Sequence, residues 1–468
     1  MEKKKIKIAI LGGGISALTA AFQLEKSGYS AVIFEQNSEP GGSMITRNEE
    51  GYLLDFGPNS GLETTPLIAE IVNEIGMADE MVYANEKGNK RYILKNGKLI
   101  PLPMSPAAFF KTPLFSARAK FRLLAEPFIK RSHDGYYQSI ADFVRRRLGT
   151  EFLDYAINPF VSGVFAGDPE KLSVKSAFPK LYALEENYGG LIKGTLMGAR
   201  ERKKRKEVAK QSAKMFSFRN GMQSMAKRLA EYLSSEIKTG AEIEYVRKSE
   251  EKFEIIYRKD GESASEFFDL IISAIPAYDA GRIFQFGDED FNRHCSQVYY
   301  PPVAVLYLGF RKNRIAQPLD GFGFLIPTKE KKDFLGAIWS SVLFENRAPE
   351  DYESFTLFIG GAQKPEILDQ DDENLIANTV AEFKKIMKID SDPEFVKIRR
   401  WEKAIPQYNL GYIEHERYFE SFEHNNPGVF LSGNFRGGIS VGDCFKNSSL
   451  TASRVLEYIN KISKPTEN

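Results

Sequence analysis

Two cysteines and four histidines in 468 residues are too few to carry much chemistry. Cys295 and Cys444 exclude a disulfide framework and a cysteine-based zinc site, and they fit a reducing compartment. His133, His294, His415 and His424 fall at no metal-ligand spacing, so no metal is expected and they read as solvated or core histidines. Net charge is also missing: 64 Lys+Arg against 63 Asp+Glu leaves +1, no field for nucleic acid, and no nucleic-acid partner is expected. No run approaches the ~18 apolar residues of a membrane-spanning helix. Residues 6–11 are too short for a signal-peptide core and run into glycines, so the chain is expected to begin with folded structure in the cytoplasm. What remains, 42% hydrophobic and 27% charged, is ordinary globular composition, long enough for about two or three domain-sized units.

What is present begins at once. Residues 6–11 form a short apolar run, the pattern of a strand buried on both faces. The run enters Gly12-Gly13-Gly14-Ile15-Ser16-Ala17, then residues 18–24 with helical apolar spacing, ended by Gly28. Residues 30–34 read as a second strand with Glu35 at its C-terminal end. Strand, glycine turn, helix, strand, acid is the order of a dinucleotide-binding unit. Gly12 permits the tight turn and Gly14 lets backbone approach a pyrophosphate, which the helix N-terminus meets with unpaired N–H groups. Ala17 takes the third glycine position and is still small enough for close packing. Glu35 is placed to accept hydrogen bonds from ribose hydroxyls.

Pro40-Gly41-Gly42 follows, then Gly51-Tyr52-Leu53-Leu54-Asp55-Phe56-Gly57-Pro58-Asn59-Ser60. With these the chain resembles the flavin-containing amine oxidase superfamily; Glu39 stands where many members have arginine. Residues 158–169, 216–223, 299–304, 344–349, 401–408 and 433–442 occur in order and are similar to the protoporphyrinogen oxidase family over nearly the whole chain. The resemblance implies FAD, held by Gly12, Gly13, Gly14, Ile15, Ser16, Ala17, Glu35, Gly41, Gly42, Gly57, Pro58, Asn59 and Ser60. It also implies Ile243 at the adenine, Trp401 among the cofactor contacts, and Gly433 and Asn434 at the pyrophosphate. Ile439, Ser440 and Val441 would start a helix aimed at the flavin; later in it Ser448 replaces a common glycine. Residues 267–276 read as one buried strand of the same parallel sheet, and 240–246 as another strand.

The family oxidises a porphyrinogen, which needs orientation, a dry pocket and a cofactor more than reactive side chains. By resemblance Leu325 and Ile338 clamp the ring, Phe358 stacks on it, Arg91 holds a propionate and Asn59 orients substrate near the flavin edge. A planar guanidinium suits a carboxylate. Unaided by the family, the three apolar residues read equally as strand core, and Arg91 as a solvated charge. Protoporphyrinogen is the expected substrate, with oxygen or a quinone as acceptor. Coproporphyrinogen III oxidation and a non-catalytic flavin- and porphyrin-binding protein are the rivals.

Residues 101–210 carry 20 basic and 11 acidic residues, against 44 and 52 elsewhere. Within 105–131, aromatic and aliphatic residues alternate with cations, as on a helical surface lying on anionic lipid, where the family has a membrane-binding insertion. The runs 145–147 and 203–206 read as solvated helix faces or a loose loop. The expected fold is α/β: a Rossmann-like FAD-binding domain (1–78, 211–290, 401–468), a mixed-sheet substrate-binding domain (79–100, 291–400) and an α-helical membrane-binding insertion (101–210). The expected location is cytoplasmic, on the inner face of the cytoplasmic membrane. A homodimer and hand-over of the product to ferrochelatase are further expectations.

Overall fold

The computed structural model describes residues 6–205 and 213–463, so the basic run at 203–206 ends outside the described residues. A five-stranded parallel sheet runs in the order Glu236–Thr239, Ala31–Glu35, Ile8–Leu11, Leu270–Ser273, Val429–Leu431. Its central strand is apolar without alternation because both faces are covered. Ile8 and Ile10 pack with Leu18, Phe22, Leu229, Phe445 and Val455 of helices Ile15–Lys26, Gln223–Tyr232 and Val441–Ile462. Ala9 and Leu11 pack on the other side with the antiparallel sheet Glu242–Ser249, Lys252–Lys259, Glu262–Phe268 and with helices near 289 and 412. Three stretches far apart in sequence therefore build one sheet. Where one strand was expected over 267–276 there are two: Phe268 ends the antiparallel sheet and Leu270 begins the parallel one. The chain changes sheets at Asp269, whose carboxylate accepts the Lys7 amide at 2.8 Å.

The second body is a seven-stranded mixed sheet, in order Phe395–Trp401, Val303–Arg311, Tyr352–Gly360, Gly336–Trp339, Gly321–Leu325, Lys90–Lys95, Lys98–Pro101. One face, with Leu306, Leu308, Phe324, Trp339, Phe355 and Leu357, packs on helix Asp372–Met387 through Leu375, Phe383 and Met387. Short helices between 106 and 205 form the third body, around Leu114, Phe143, Val144, Leu153 and Val174. That core continues onto the other face of the mixed sheet at Ile93 and Leu325.

The helical body corrects one expectation from the sequence. Arg145 is exposed, but Arg147 is 0% exposed, as is Glu126, and Glu185 is 1% exposed. Arg147 donates to Glu185 from Nε at 2.8 Å and to Glu126 from Nη1 at 2.9 Å. It also donates to the carbonyls of Ile129 at 3.1 Å and Gly189 at 2.8 Å. Arg146 reaches Glu185 at 2.9 Å. Glu126 in turn accepts the amides of Leu191 and Ile192 at the start of helix Leu191–Arg205, at 2.8 and 3.1 Å. Arg147 is buried because helix Ile140–Arg147 ends inside the body, where these carboxylates and carbonyls meet it.

Candidate active site

The first strand ends in a turn that only glycine serves. Gly12 has φ +93°, and a Cβ there would lie 3.1 Å from Ile275. A Cβ on Gly13 would lie 2.8 Å from Glu35 Oε2, the oxygen that accepts the Gly13 amide at 2.7 Å. Glu35 Oε1 accepts the Asn37 amide at 2.8 Å, so the buried carboxylate is fixed at the end of its strand. Helix Ile15–Lys26 has Gly14 as N-cap, and no side chain caps it. Its first-turn amides, with Ile15, Ser16 and Ala17 buried behind them, thus lack the usual internal acceptor and suit a diphosphate. This cradle fits the pyrophosphate of FAD. Next to Glu35, the Gly240 and Ala241 amides donate to Asn37 and Glu35 carbonyls at 2.9 Å each, which brings buried Ile243 alongside the acid.

Gly41 and Gly42 cross this turn. The Gly41 amide donates to the Gly13 carbonyl at 2.9 Å, and a Cβ on Gly42 would stand 3.1 Å from the Gly14 Cα. Glu39 turns away to Lys227 at 2.8 Å, whose hydrogen bond holds its carboxyl below the usual range. A Cβ on Gly57 would lie 1.9 Å from the Ser43 carbonyl oxygen, so residues 57–60, with Pro58 and Ser60, run hard against residue 43. Trp401 donates from Nε1 to the Phe56 carbonyl at 3.0 Å. At the end of the last parallel strand Gly433 has φ +104°. The Asn434 and Phe435 carbonyls accept the hydroxyls of Tyr408 and Tyr412, at 2.7 and 2.6 Å. Ser440 caps helix Val441–Ile462, and Ile439 and Val441 flank it, half-buried. Ser448 is fully buried in that helix.

Asn59 lies half-buried between the two bodies. Its amide donates to the Asp55 carbonyl at 3.2 Å, which also accepts the hydroxyl of buried Tyr307. A cavity of about 10 Å³, room for about one water, is lined by Asn59, Asp55, Arg347, Ile338 and Thr356 among others. Asp55 and Arg347 are each 3% exposed and 3.9 Å apart. Burial pushes the Asp55 carboxyl up, opposed by Arg347, Thr46 and the Met222 amide; burial also pushes the Arg347 guanidinium down. Neither was singled out from the sequence as a site residue. Both lie in stretches that carry the family resemblance, Asp55 in 51–60 and Arg347 in 344–349.

The substrate candidates come from four strands of the mixed sheet, and the register brings them to one face. Arg91, Gly323, Ile338, Thr356 and Tyr307 form one cross-strand row. Ile93, Leu325, Gly336, Phe358 and Val305 form the next. This is the face opposite the helix-packed core. Leu325, Ile338 and Phe358 are half-buried and Arg91 is exposed, 5.7 Å from the Phe322 ring. Gly323 stands between Arg91 and Ile338 and Gly336 between Leu325 and Phe358, so neither strand adds a side chain there; this strip is the candidate slot, with Gly163 of helix Asn158–Phe165 lying against Leu325. The helical body borders it at Ile93 and Leu325; Phe56, Tyr307 and Phe358, with Trp401 beside them, close the other end. A slot with apolar walls and one guanidinium suits a flat apolar molecule bearing a carboxylate. The edge strand adds Lys397 and Arg399 to the same face.

Among the described residues no cluster of metal-ligating side chains occurs. His294 and His415 meet, Nδ1 to Nδ1, at 2.9 Å, away from this slot.

The model of the flavin containing amine oxidoreductase family matches residues 15–456. A chloroplastic protoporphyrinogen oxidase of Oryza sativa subsp. japonica is 32% identical, covering 97% of this chain and 88% of that protein. The coproporphyrinogen III oxidase of Bacillus subtilis is 26% identical, over 98% of this chain and all of its own length. A crystal structure from Exiguobacterium sp. 255-15, provisionally identified as a protoporphyrinogen oxidase, superposes with TM-score 0.81 at 21% identity, over 97% of this chain and 99% of that one, and so shares the fold. The chain belongs to the flavin-containing amine oxidoreductase family and is an FAD-dependent oxidoreductase.

Proposed function

We propose that the chain oxidises protoporphyrinogen IX to protoporphyrin IX in haem biosynthesis, in three successive two-electron steps, with oxygen as final acceptor. Bound FAD supplies the hydride acceptor for the substrate's bridging carbons. The chain's own residues orient the macrocycle and exclude water: Leu325, Ile338 and Phe358 line the slot, Arg91 meets a propionate, and Asn59 stands at the junction with the cofactor side. The observation that carries this reading is the shared face of those four slot residues, spaced by two glycines. Porphyrins fluoresce and porphyrinogens do not, so fluorescence-detected turnover of protoporphyrinogen against coproporphyrinogen tests it. Faster protoporphyrin formation supports the reading; no porphyrin from either substrate refutes it. Arg91→Ala should raise KM for a propionate-bearing porphyrinogen about tenfold or more, as loss of a charged hydrogen bond does, with flavin content unchanged.

Coproporphyrinogen III is the second reading. Arg399 on the same face would answer an additional carboxylate, Lys397 being paired with Glu49 at 2.8 Å, and the Bacillus relative bears that name. Preference for coproporphyrinogen in the same assay would establish it.

The proposal extends to peripheral attachment to an anionic membrane through residues 105–131, from the cytoplasmic side. Support comes from Phe110, Phe121, Leu124 and Phe128, which are 54%, 72%, 53% and 88% exposed. Lys111, Arg118, Lys130 and Arg131 are exposed beside them, whereas Lys120 and Arg122 are directed inward at carbonyl groups. Failure to sediment with anionic liposomes at low salt would withdraw this part.

A further inference from the structure

Arg347 comes from the substrate-sheet side of the molecule, yet its guanidinium is bonded within the cofactor side. It donates to Ser217 Oγ at 2.8 Å and to the Phe218 carbonyl at 3.1 Å, and it stands 3.9 Å from Asp55 Oδ2. Ser217 Oγ donates in turn to the Asn59 carbonyl at 3.2 Å, and Asn59 Nδ2 donates to the Asp55 carbonyl at 3.2 Å. Arg347, Ser217, Asn59 and Asp55 thus close a ring, joining three stretches of chain. Asn59 borders the cavity shared with Ile338 and Thr356 of the slot, together with Asp55 and Arg347.

We propose that Arg347 is a positioning residue, holding Asn59 at the junction of cofactor and substrate through Ser217 and Asp55. The inference rests on the porphyrinogen reading for its kinetic consequence, though not for its geometry. A buried arginine needs partners whatever it does, and a plain clamp between the two bodies would use the same Phe218 carbonyl. The ring separates the two roles. A clamp predicts lost stability that is indifferent to residue 59, whereas positioning predicts that the effect passes through it. Nη2 alone makes all three contacts, and a lysine stem ends one bond short of it, so lysine keeps the charge without reaching Ser217, Phe218 and Asp55.

The experiment is a double-mutant cycle on the FAD-loaded protein with Arg347→Lys and Asn59→Ala, reading kcat, KM and the visible flavin spectrum. Misplacement near the reacting centre acts on kcat, so Arg347→Lys should lower kcat about tenfold or more with FAD retained and KM changed less. In the Asn59→Ala background the same change should alter kcat by less than about twofold, since the two residues act as a unit. The double variant should shift the flavin band no further than Asn59→Ala alone. If the two effects multiply, or if Arg347→Lys only lowers Tm, the proposal is overturned. Should Arg347→Lys fail to fold, Ser217→Ala removes one hydroxyl of the ring and must show the same coupling to Asn59→Ala. If wild-type protein turns over no porphyrinogen, the functional reading falls, and the spectral arm still decides the role of Arg347.

Discussion

Replacing Arg147 by methionine removes the buried cation on which the helical body is organised. Methionine fills much of the stem's space but donates nothing, so Glu126 loses its guanidinium and the Ile129 and Gly189 carbonyls lose a donor. Breaking a buried ion pair from one side costs about 3–5 kcal/mol. Glu185 keeps Arg146 and the Ser132 amide, and Glu126 keeps two helix-start amides, so the lower half of that range, about 3–4 kcal/mol, is expected. At 1.4 kcal/mol per factor of ten, the helical body should open on the order of 100 to 1,000 times more often. Native-state hydrogen exchange over helices Ile140–Arg147 and Pro179–Tyr188 reads that opening. FAD content serves as the control, because the parallel sheet has a separate core. The pH dependence has a definite sign. Burial raises the Glu185 carboxyl, but hydrogen bonds from Arg147, Arg146 and the Ser132 amide outweigh it and leave it below its ordinary value of 4.5. A depressed carboxyl contributes stability that is present above the ordinary value and lost as pH falls through the folded one. Wild-type protection should therefore decline below about pH 4.5, and the variant, already missing part of that term, should decline less steeply. Protection within about tenfold of wild type at neutral pH would refute the argument.

Glu35→Ala deletes the acceptor of the Gly13 amide and should lower FAD content on purification by about tenfold or more, read from flavin absorbance per chain. Gly57→Ala must push the backbone off the Ser43 carbonyl and should yield little flavin-loaded protein. Gly97→Ala, with φ +70° and nothing within 4 Å, is the control and should cost only about 1–2 kcal/mol of backbone strain in a urea melt. Burial, then the neighbouring His294, pushes His415 down from 6.5 to about 4. The unfolded chain takes up that proton first, so stability is full above 6.5 and falls as pH drops toward 4, by about 1–3 kcal/mol. His415→Gln should flatten that slope in pH-dependent thermal melts, and an unchanged slope would assign it elsewhere.

The dinucleotide unit could be read from residues 6–35 because every part of it is local: a strand, a turn, a helix and an acid within a few tens of positions. The slot was only half legible. Leu325, Ile338 and Phe358 are indistinguishable from core residues in a one-dimensional pattern, since strands buried on both faces lose their alternation. Register across four strands assigns them to a common face, and register is not written in any one of them. Arg147 was misread for a related reason. A triple arginine at a helix end resembles a solvated face until Glu126 and Glu185, tens of residues away, are brought against it. Asp55 and Arg347 lie hundreds of positions apart and meet only when both bodies are assembled.

The slot's lining is subject to a rule of parity. Each of its strands shows alternate residues to the slot and to the helix-packed core, so within these strands the positions that can reshape it are 91, 93, 305, 307, 323, 325, 336, 338, 356 and 358. Adding or removing one residue within any of these strands would turn Phe324, Ala337 or Leu357 outward and bury a slot residue in their place. Selectivity for one tetrapyrrole over another can therefore be altered by exchange at these sites but not by changes in strand length, which must be confined to the connecting turns.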